Sequence, residues 1–320
     1  MSAPRVTIFI QIFNTERFVK RAIESALALK GGYEIEVIAI DDASKDRSWE
    51  IVNSIQDSRL KAIRHDKNTG ACATANEGYQ LARGEFVARL DSDDVYRPDF
   101  LAKLVPLLEA NPKAGLAYGD IAMIDPEDQI TSPGKNVERA GRPLIGDEFF
   151  AACENNFIPP PATLMRREAL AALLPVPSEY HFLDWYLSTG IAERWQTAFC
   201  DEVLAEYRIH ATNMHRTMVA DRTGEKISFM VLDRLWSNGF RADEKSKQRS
   251  HVYGLNYLTY AEKYFGIDAF ADARRCYKKA FGCSLGFAFK RGVFRRFLAT
   301  WLSPERYAKL KGQPVPKTPA

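Results

Sequence analysis

The sequence predicts an α/β fold: a mostly parallel sheet flanked by helices, followed by a helical C-terminal extension. Three observations predict it. Strand-like apolar runs alternate with helical periodicity through the first 125 residues. Those runs are nearly unbroken, as expected of strands buried on both faces. From about residue 222 onward only helical spacing recurs.

The elements follow in order. VTIFIQI, residues 6–12, is the first strand, and Phe18, Ile23, Ala26 and Leu27 mark a helix after it. Residues 34–40 form a second strand, ended by Asp41-Asp42. Ser44-Lys45-Asp46 opens a helix with Ile51, Val52 and Ile55 on one face. Residues 60–64 are a short strand, 74–82 a helix capped by Gly84, and 85–90 a strand ending at Asp91. Pro98 stands at a helix start, where its missing N–H costs nothing. Leu101, Leu104, Val105 and Leu108 follow at helical spacing, and 116–124 is a further strand. This βαβα alternation implies a parallel sheet with helices on both faces. Residues 126–162 are rich in Pro and Gly and are expected to form a surface loop or lid, and 164–220 return to mixed structure. The expected organisation is a domain over 1–220, divided at 125, and a basic helical extension over 221–320. Gln313 to Ala320, with three prolines, is expected to be a loose tail.

Composition bounds the function. At 320 residues, 46% hydrophobic and 27% charged, the chain is an ordinary globular protein and not a disordered or fibrous one. No run reaches 18 apolar residues, and the seven-residue apolar run near the start is too short for a signal-peptide core. Five cysteines with no Cys-x-x-Cys argue against a disulfide framework or a zinc cage. They are expected as small buried hydrophobes in a reducing cytoplasm. The net charge of +3 is uneven: residues 221–320 carry 20 Lys and Arg against 9 Asp and Glu, a net of +11, which leaves −8 for residues 1–220.

In open α/β sheets ligands bind beyond the carboxyl ends of the strands. Asp41-Asp42 and Asp91-Ser92-Asp93-Asp94 each follow an apolar strand directly. Two acidic clusters on one edge repel unless a cation lies between them, and carboxylates suit Mg²⁺ or Mn²⁺. Such a cation would bind a diphosphate. Solvated turn or N-cap carboxylates are the alternative reading.

The order and flanks of residues 6–14, IAIDDAS (38–44) and NTGACATANEGYQLARGEFVARLDSDD (68–94) resemble the nucleotide-binding half of family 2 glycosyltransferases. The resemblance covers residues 6–215. It implies a GT-A fold and an inverting transfer of a sugar from a nucleoside diphosphate to a saccharide or lipid-linked acceptor. By position, Asp42 resembles the carboxylate that hydrogen-bonds the base, with Phe13 and Asn14 in the base and ribose pocket. That makes UDP-sugars the favoured donors. Asp91 resembles the residue near the ribose, with Ser92 beside it, and Asp93 the metal-binding aspartate of the Asp-x-Asp motif. HFLDWYLSTG (181–190) resembles the stretch around the catalytic aspartate, so Asp184 is the candidate base that takes the acceptor proton. YRIHATNMH (207–215) resembles the closing motif. It offers His210 as a metal or diphosphate ligand, Arg208 as a phosphate contact, and Asn213 and His215 as weaker candidates. Gln11, Ala75-Asn76 and Leu183 depart from the family pattern.

Two other classes fit parts of the pattern. Asp91-Ser92-Asp93-Asp94-Val95 matches the nucleophile motif of haloacid-dehalogenase phosphatases, although that motif follows a first strand and here several precede it. A non-catalytic nucleotide-sugar binding protein is the other. In the extension, Phe294, Phe297, Leu298, Trp301 and Leu302 fall at helical spacing with Lys290, Arg291, Arg295, Arg296 and Arg306 around them. A basic amphipathic helix over 287–306, suited to an anionic membrane surface, and a helix docked on the catalytic domain are both consistent with that stripe. No recognition motif for nucleic acid accompanies the basic charge.

Overall fold

The computed structural model describes residues 3–135, 137, 142–180, 183–210 and 215–311. The chain separates into two compact units: Met1–Ala152 with Asn156–Thr212, and Cys153–Asn155 with Asn213–Ala320.

The first unit carries β1 (Val6–Ile12), α1 (Val19–Leu27), β2 (Ile35–Asp41), α2 (Ser48–Ser54), β3 (Leu60–Arg64), α3 (Ala71–Leu81) and β4 (Phe86–Asp91). There follow β5 (Val95–Tyr96), α4 (Phe100–Ala110), β6 (Ala114–Ile124), β7 (Ile130–Ser132), β8 (Ile145–Gly146) and α5 (Phe149–Glu154). The unit closes with β9 (Thr163–Arg166), α6 (Arg167–Ala171), α7 (Leu183–Ala192) and β10 (Gln196–Arg208). Among the described residues these strands form one sheet in the order β3-β2-β1-β4-β9-β6-β10-β5, with β7 beside β6 and β8 beside β10. β1, β2, β3 and β4 run parallel, as do β6 and β10, while β9 is antiparallel to both its neighbours.

The apolar runs explain the layers. Val6, Ile8, Ile10 and Ile12 lie on one face of β1 and pack with Val19, Ala22, Ile23 and Ala26 of α1 and Leu101, Leu104 and Leu108 of α4. Phe9, on the opposite face, meets Tyr79 of α3 edge-on at 4.7 Å. Both faces of the central strand are therefore covered, which is why it reads as a continuous apolar run.

Several boundaries differ from those expected. α2 begins at Ser48 because Asp46 accepts from the Ser48 N–H at 3.0 Å and Asn14 accepts from the Lys45 N–H at 2.8 Å. These bonds hold residues 43–47 as a turn, with Ala43 at φ 60°. α3 begins at Ala71, straight after Gly70 at φ 89°. Gly84 is not its cap. It sits where a Cβ would lie 2.5 Å from the Thr7 nitrogen, so glycine is required by the close approach to β1.

The second unit carries α8 (His215–Ala220), α9 (Thr223–Ser237), α10 (Ala242–Gly266) and α11 (Phe270–Cys283), a 3₁₀ turn at Leu285–Phe289, α12 (Val293–Ala299) and α13 (Pro304–Lys311). α10 and α11 pair around Tyr260, Tyr264, Ala273, Cys276 and Tyr277. The single amphipathic helix expected over 287–306 is instead broken in two places: Gly292 adopts φ 79°, and α12 stops at Ala299. The tail from Gln313 lies outside the described residues. Cys72, Cys153 and Cys276 are buried as expected, whereas Cys200 and Cys283 are half-buried; all five are thiols. Among the described residues no helix is long and apolar enough to cross a membrane.

Candidate active site

The strand order turns at β1, with β2 and β3 on one side and β4 on the other. This makes the crevice at the carboxyl ends of β1 and β4 the switch point at which such sheets bind ligands. The register brings the acidic clusters to that edge: Ile12 is opposite Asp41, and Gln11 is opposite Asp91. Phe13 follows β1 with 45% of its surface exposed. Asn14 adopts φ 54°, and its N–H donates to Ser44 Oγ at 2.9 Å. Thr15 Oγ1 donates to Ser92 Oγ at 2.9 Å, which joins the β1 and β4 ends.

Titratable side chains gather at the β4 end. Asp93 Oδ2 lies 2.8 Å from His210 Nε2, and the His210 ring stacks on Phe18 at 5.6 Å. Both side chains are partly open to solvent. Asp94 is buried and accepts from the Arg208 N–H at 2.9 Å. Burial pushes the Asp94 carboxyl well up, and the neighbouring Asp93 and Asp91 add to the rise. Its second oxygen has no hydrogen-bond partner among the described residues.

Asp184 lies in the first turn of α7, and its Oδ1 pairs with Arg89 Nη2 at 2.7 Å. The same guanidinium meets Asp91 Oδ2 at 3.2 Å and donates to Gln11 Oε1 at 3.2 Å. Arg89 is buried, whereas Asp184 keeps 31% of its side chain exposed. Trp185 anchors the helix, its indole N–H donating to the Ala152 carbonyl at 2.7 Å. Asn76 both donates to and accepts from the Val176 backbone, tying α3 to the segment that precedes α7.

Two expected contacts are placed differently. Arg208 is no open phosphate contact. It is fully buried, and its guanidinium donates to the carbonyls of Asp93 and Asp125 at 2.7 Å each, pairs with Asp128, and lies over the Phe18 ring. It braces the Asp93 loop from beneath. Asp42 is 4% exposed and accepts from the N–H of Thr69 and Gly70, from the Thr69 hydroxyl, and from His65 Nδ1 at 2.7 Å. Burial opposes its charge, but bonds from Thr69, His65 and Gly70 hold its carboxyl below the usual range. In this structure it organises the 65–70 loop. Asn213 lies outside the described residues, as does the side chain of His215.

Arg89 and His65 were not singled out from sequence. Arg89 interrupts an otherwise apolar strand two positions before Asp91, and alternate strand residues share a face. That pairing was the available signal. His65 directly follows β3, level with Asp42, and its Nε2 also meets Glu77 at 2.6 Å.

Residues 7–174 match Glycosyl transferase family 2. The chain belongs to that family. This removes the phosphatase alternative. An uncharacterized glycosyltransferase of Nostoc sp. is 28% identical over 234 residues, 69% of this chain and 70% of that one. Further curated relatives align over 30 to 60% of their own length, so the chain spans less than two thirds of them. Among solved structures, S. aureus TarS 1–349 in complex with UDP-GlcNAc superposes with a TM-score of 0.58 at 14% identity, over 97% of this chain and 92% of that one. The mannosyltransferase PcManGT of Pyrobaculum calidifontis, in complex with GDP-Man and Mn²⁺, gives 0.61 at 18% identity, over 94% and 85%. Both are likenesses of fold, and the fold is of the GT-A type.

Proposed function

We propose that this family 2 member is an inverting, metal-dependent glycosyltransferase. In this reading it moves a sugar from a nucleoside diphosphate, a UDP-sugar foremost, to a hydroxyl of a saccharide that is free or lipid-linked. One observation carries the reading: a single buried guanidinium, Arg89, joins the candidate base Asp184 to Asp91 at the acidic strand end. Donor-side and acceptor-side chemistry are thereby held at one point of the sheet edge.

Residues 1–125 hold the donor, and 126–220 face the acceptor. The exposed ring of Phe13 offers the base a stacking surface, with Asn14 and the Asp42-organised loop beside it and Asp91 and Ser92 near the ribose. Asp93 and His210 would hold the cation. Their polar atoms already converge to 2.8 Å, and a hard divalent ion needs only one or two protein ligands where phosphates supply the rest. Mn²⁺ or Mg²⁺ is the cation proposed, as a site whose remaining ligands are phosphate oxygens favours. When bound, the cation stabilises the charge growing on the departing diphosphate. Asp184 accepts the proton of the attacking hydroxyl, on the sugar face opposite the leaving group, while Arg89 aims it. The five thiols suit the cytoplasm, where we place the enzyme.

Titration calorimetry with UDP and GDP, each with and without Mn²⁺, tests the donor side. Metal-dependent binding of one nucleotide, lost in Asp93→Ala, is expected. Failure of both nucleotides to bind under every condition overturns the proposal. NMR of the product then tests inversion: an α-linked donor must give a β-linked product.

A further inference from the structure

The helical unit carries a surface that its own core does not use. The stretch from Leu285 to Ser303 contains Lys290, Arg291, Arg295 and Arg296 and no acidic residue. Its inner side chains dock. Phe287 is buried and fills the space left by Gly254, where a Cβ would lie 2.2 Å from its ring. Val293 and Ala299 are buried, and Phe297 packs edge-on against Phe281 at 5.1 Å. Arg296 pairs with Glu262 at 2.7 Å.

Its outer side chains do the opposite. Phe289 is 88% exposed, Leu285 73%, Leu298 53%, and Phe294 and Trp301 52% each. Phe294 and Leu298 are one turn apart on α12, Trp301 follows just past its end with its ring edge-on against Phe297 at 4.7 Å, and the 3₁₀ turn packs against α12. Exposing five large apolar side chains within seventeen residues is unfavourable in water, and such patches mark interaction surfaces. Exposed Lys290, Arg291 and Arg295 are interleaved with them, and Lys278 lies 6.0 Å from the Trp301 ring.

We propose that this 285–301 surface binds the face of an anionic lipid bilayer. Aromatic and aliphatic side chains enter the headgroup boundary while the interleaved cations meet acidic headgroups. The charge selects the occupant. A second copy would bring cations against cations. Nucleic acid would use the cations but would leave Leu285, Leu298 and the flank of α12 in water. The inference does not depend on the transferase reading, because it concerns binding and not turnover.

Flotation of the full chain with vesicles tests it. The vesicles are phosphatidylcholine alone, or phosphatidylcholine with about one third phosphatidylserine. Binding to the anionic vesicles is expected, weakening as salt is raised. Lys290→Gln, Arg291→Gln and Arg295→Gln together should lower it by about a hundredfold, taking roughly a fivefold loss per cation near the surface. Phe289→Ser with Phe294→Ser should lower it on both vesicle types. All five positions are exposed, and an unchanged thermal melt certifies the fold. No flotation with anionic vesicles at low salt overturns the proposal. So does binding that these substitutions leave unchanged, concentration-dependent dimerisation through the patch, or retention of an oligonucleotide without vesicle binding.

Discussion

Replacing Arg89 by Met tests the geometry most directly. The guanidinium sits 2.7 Å from Asp184 and 3.2 Å from Asp91. At an effective dielectric of about 20, the closer contact alone is an attraction of roughly 6 kcal/mol. Much of that is offset by water, because Asp184 and Asp91 are 31% and 41% exposed and can rehydrate once the cation is gone. The stability cost should therefore fall near 2 kcal/mol, below the roughly 3–5 kcal/mol of a broken, fully buried pair. That corresponds to a melting-point drop of about 4–8 °C for a unit of this size. Turnover should suffer more, since a positioned general base contributes on the order of 10²–10⁴ in rate. With the donor selected by calorimetry, release of nucleoside diphosphate should slow about a hundredfold in Arg89→Met, and KM for the donor should rise more modestly, because Asp91 loses the same cation. Arg89→Lys, which keeps the charge but loses the fork, should recover part of the rate. Because Arg89 acts through Asp184, the Arg89→Met, Asp184→Asn double variant should be no slower than Asp184→Asn alone. Rate losses that multiply in the double variant, or a stability loss with native turnover, would refute the reasoning.

Two further expectations concern pH. Burial opposes the charge of His65, but hydrogen bonds to Asp42 and Glu77 raise its pKa above the ordinary value. Its stabilisation is therefore fully present below about pH 6.5 and is lost as pH rises through the raised value. The melting-point gap between the native chain and His65→Gln should narrow across that range; a constant gap from pH 6 to 9 would contradict it. Glu225, buried in the helical unit, behaves in the opposite sense. Burial opposes its charge, but bonds from Arg275 and Tyr264 hold its carboxyl below the usual range. Its contribution is present above about pH 4.3 and is lost as pH falls through the lowered value. Glu225→Gln should cost about 1–3 kcal/mol at pH 7 and approach the native chain in acid unfolding, followed by circular dichroism.

The sheet was legible because β1, β2 and β4 are largely buried and leave mainly apolar runs, those of β2 and β4 ending in Asp41 and Asp91. The edge of the site was legible for the same reason, since the residue after such a run must emerge at the strand's end. What each polar side chain does there was not. Arg208 looks like a phosphate ligand in Tyr-Arg-x-His, but its partners, the carbonyls of Asp93 and Asp125, lie 115 and 83 residues away. Asp42 is likewise claimed by Thr69 and Gly70, whose loop has no apolar period to predict it. In the extension, period alone suggested one helix through 287–306. Gly292 breaks it, because a left-handed residue leaves no trace in hydropathy.

One strand end accounts for most of the site. Arg89 and Asp91 share a face of β4, and through Arg89 that face reaches Asp184 on α7. Past the strand, Asp93 reaches His210, and Asp94 accepts the backbone N–H at the end of β10. Asp184 and the Arg208–His210 segment, both far downstream in sequence, are thus tied to residues 89–94. A shift of β4 by one residue would turn Arg89 and Asp91 to the opposite face of the sheet and break both attachments. Its neighbours resist that shift: Phe86, Val87, Ala88 and Leu90 are fully buried, and Gly84 locks the strand's entry against β1. The packing of an apolar strand thereby sets the spacing between Asp91, Asp93 and Asp184, the groups to which the proposed transfer assigns its two sides.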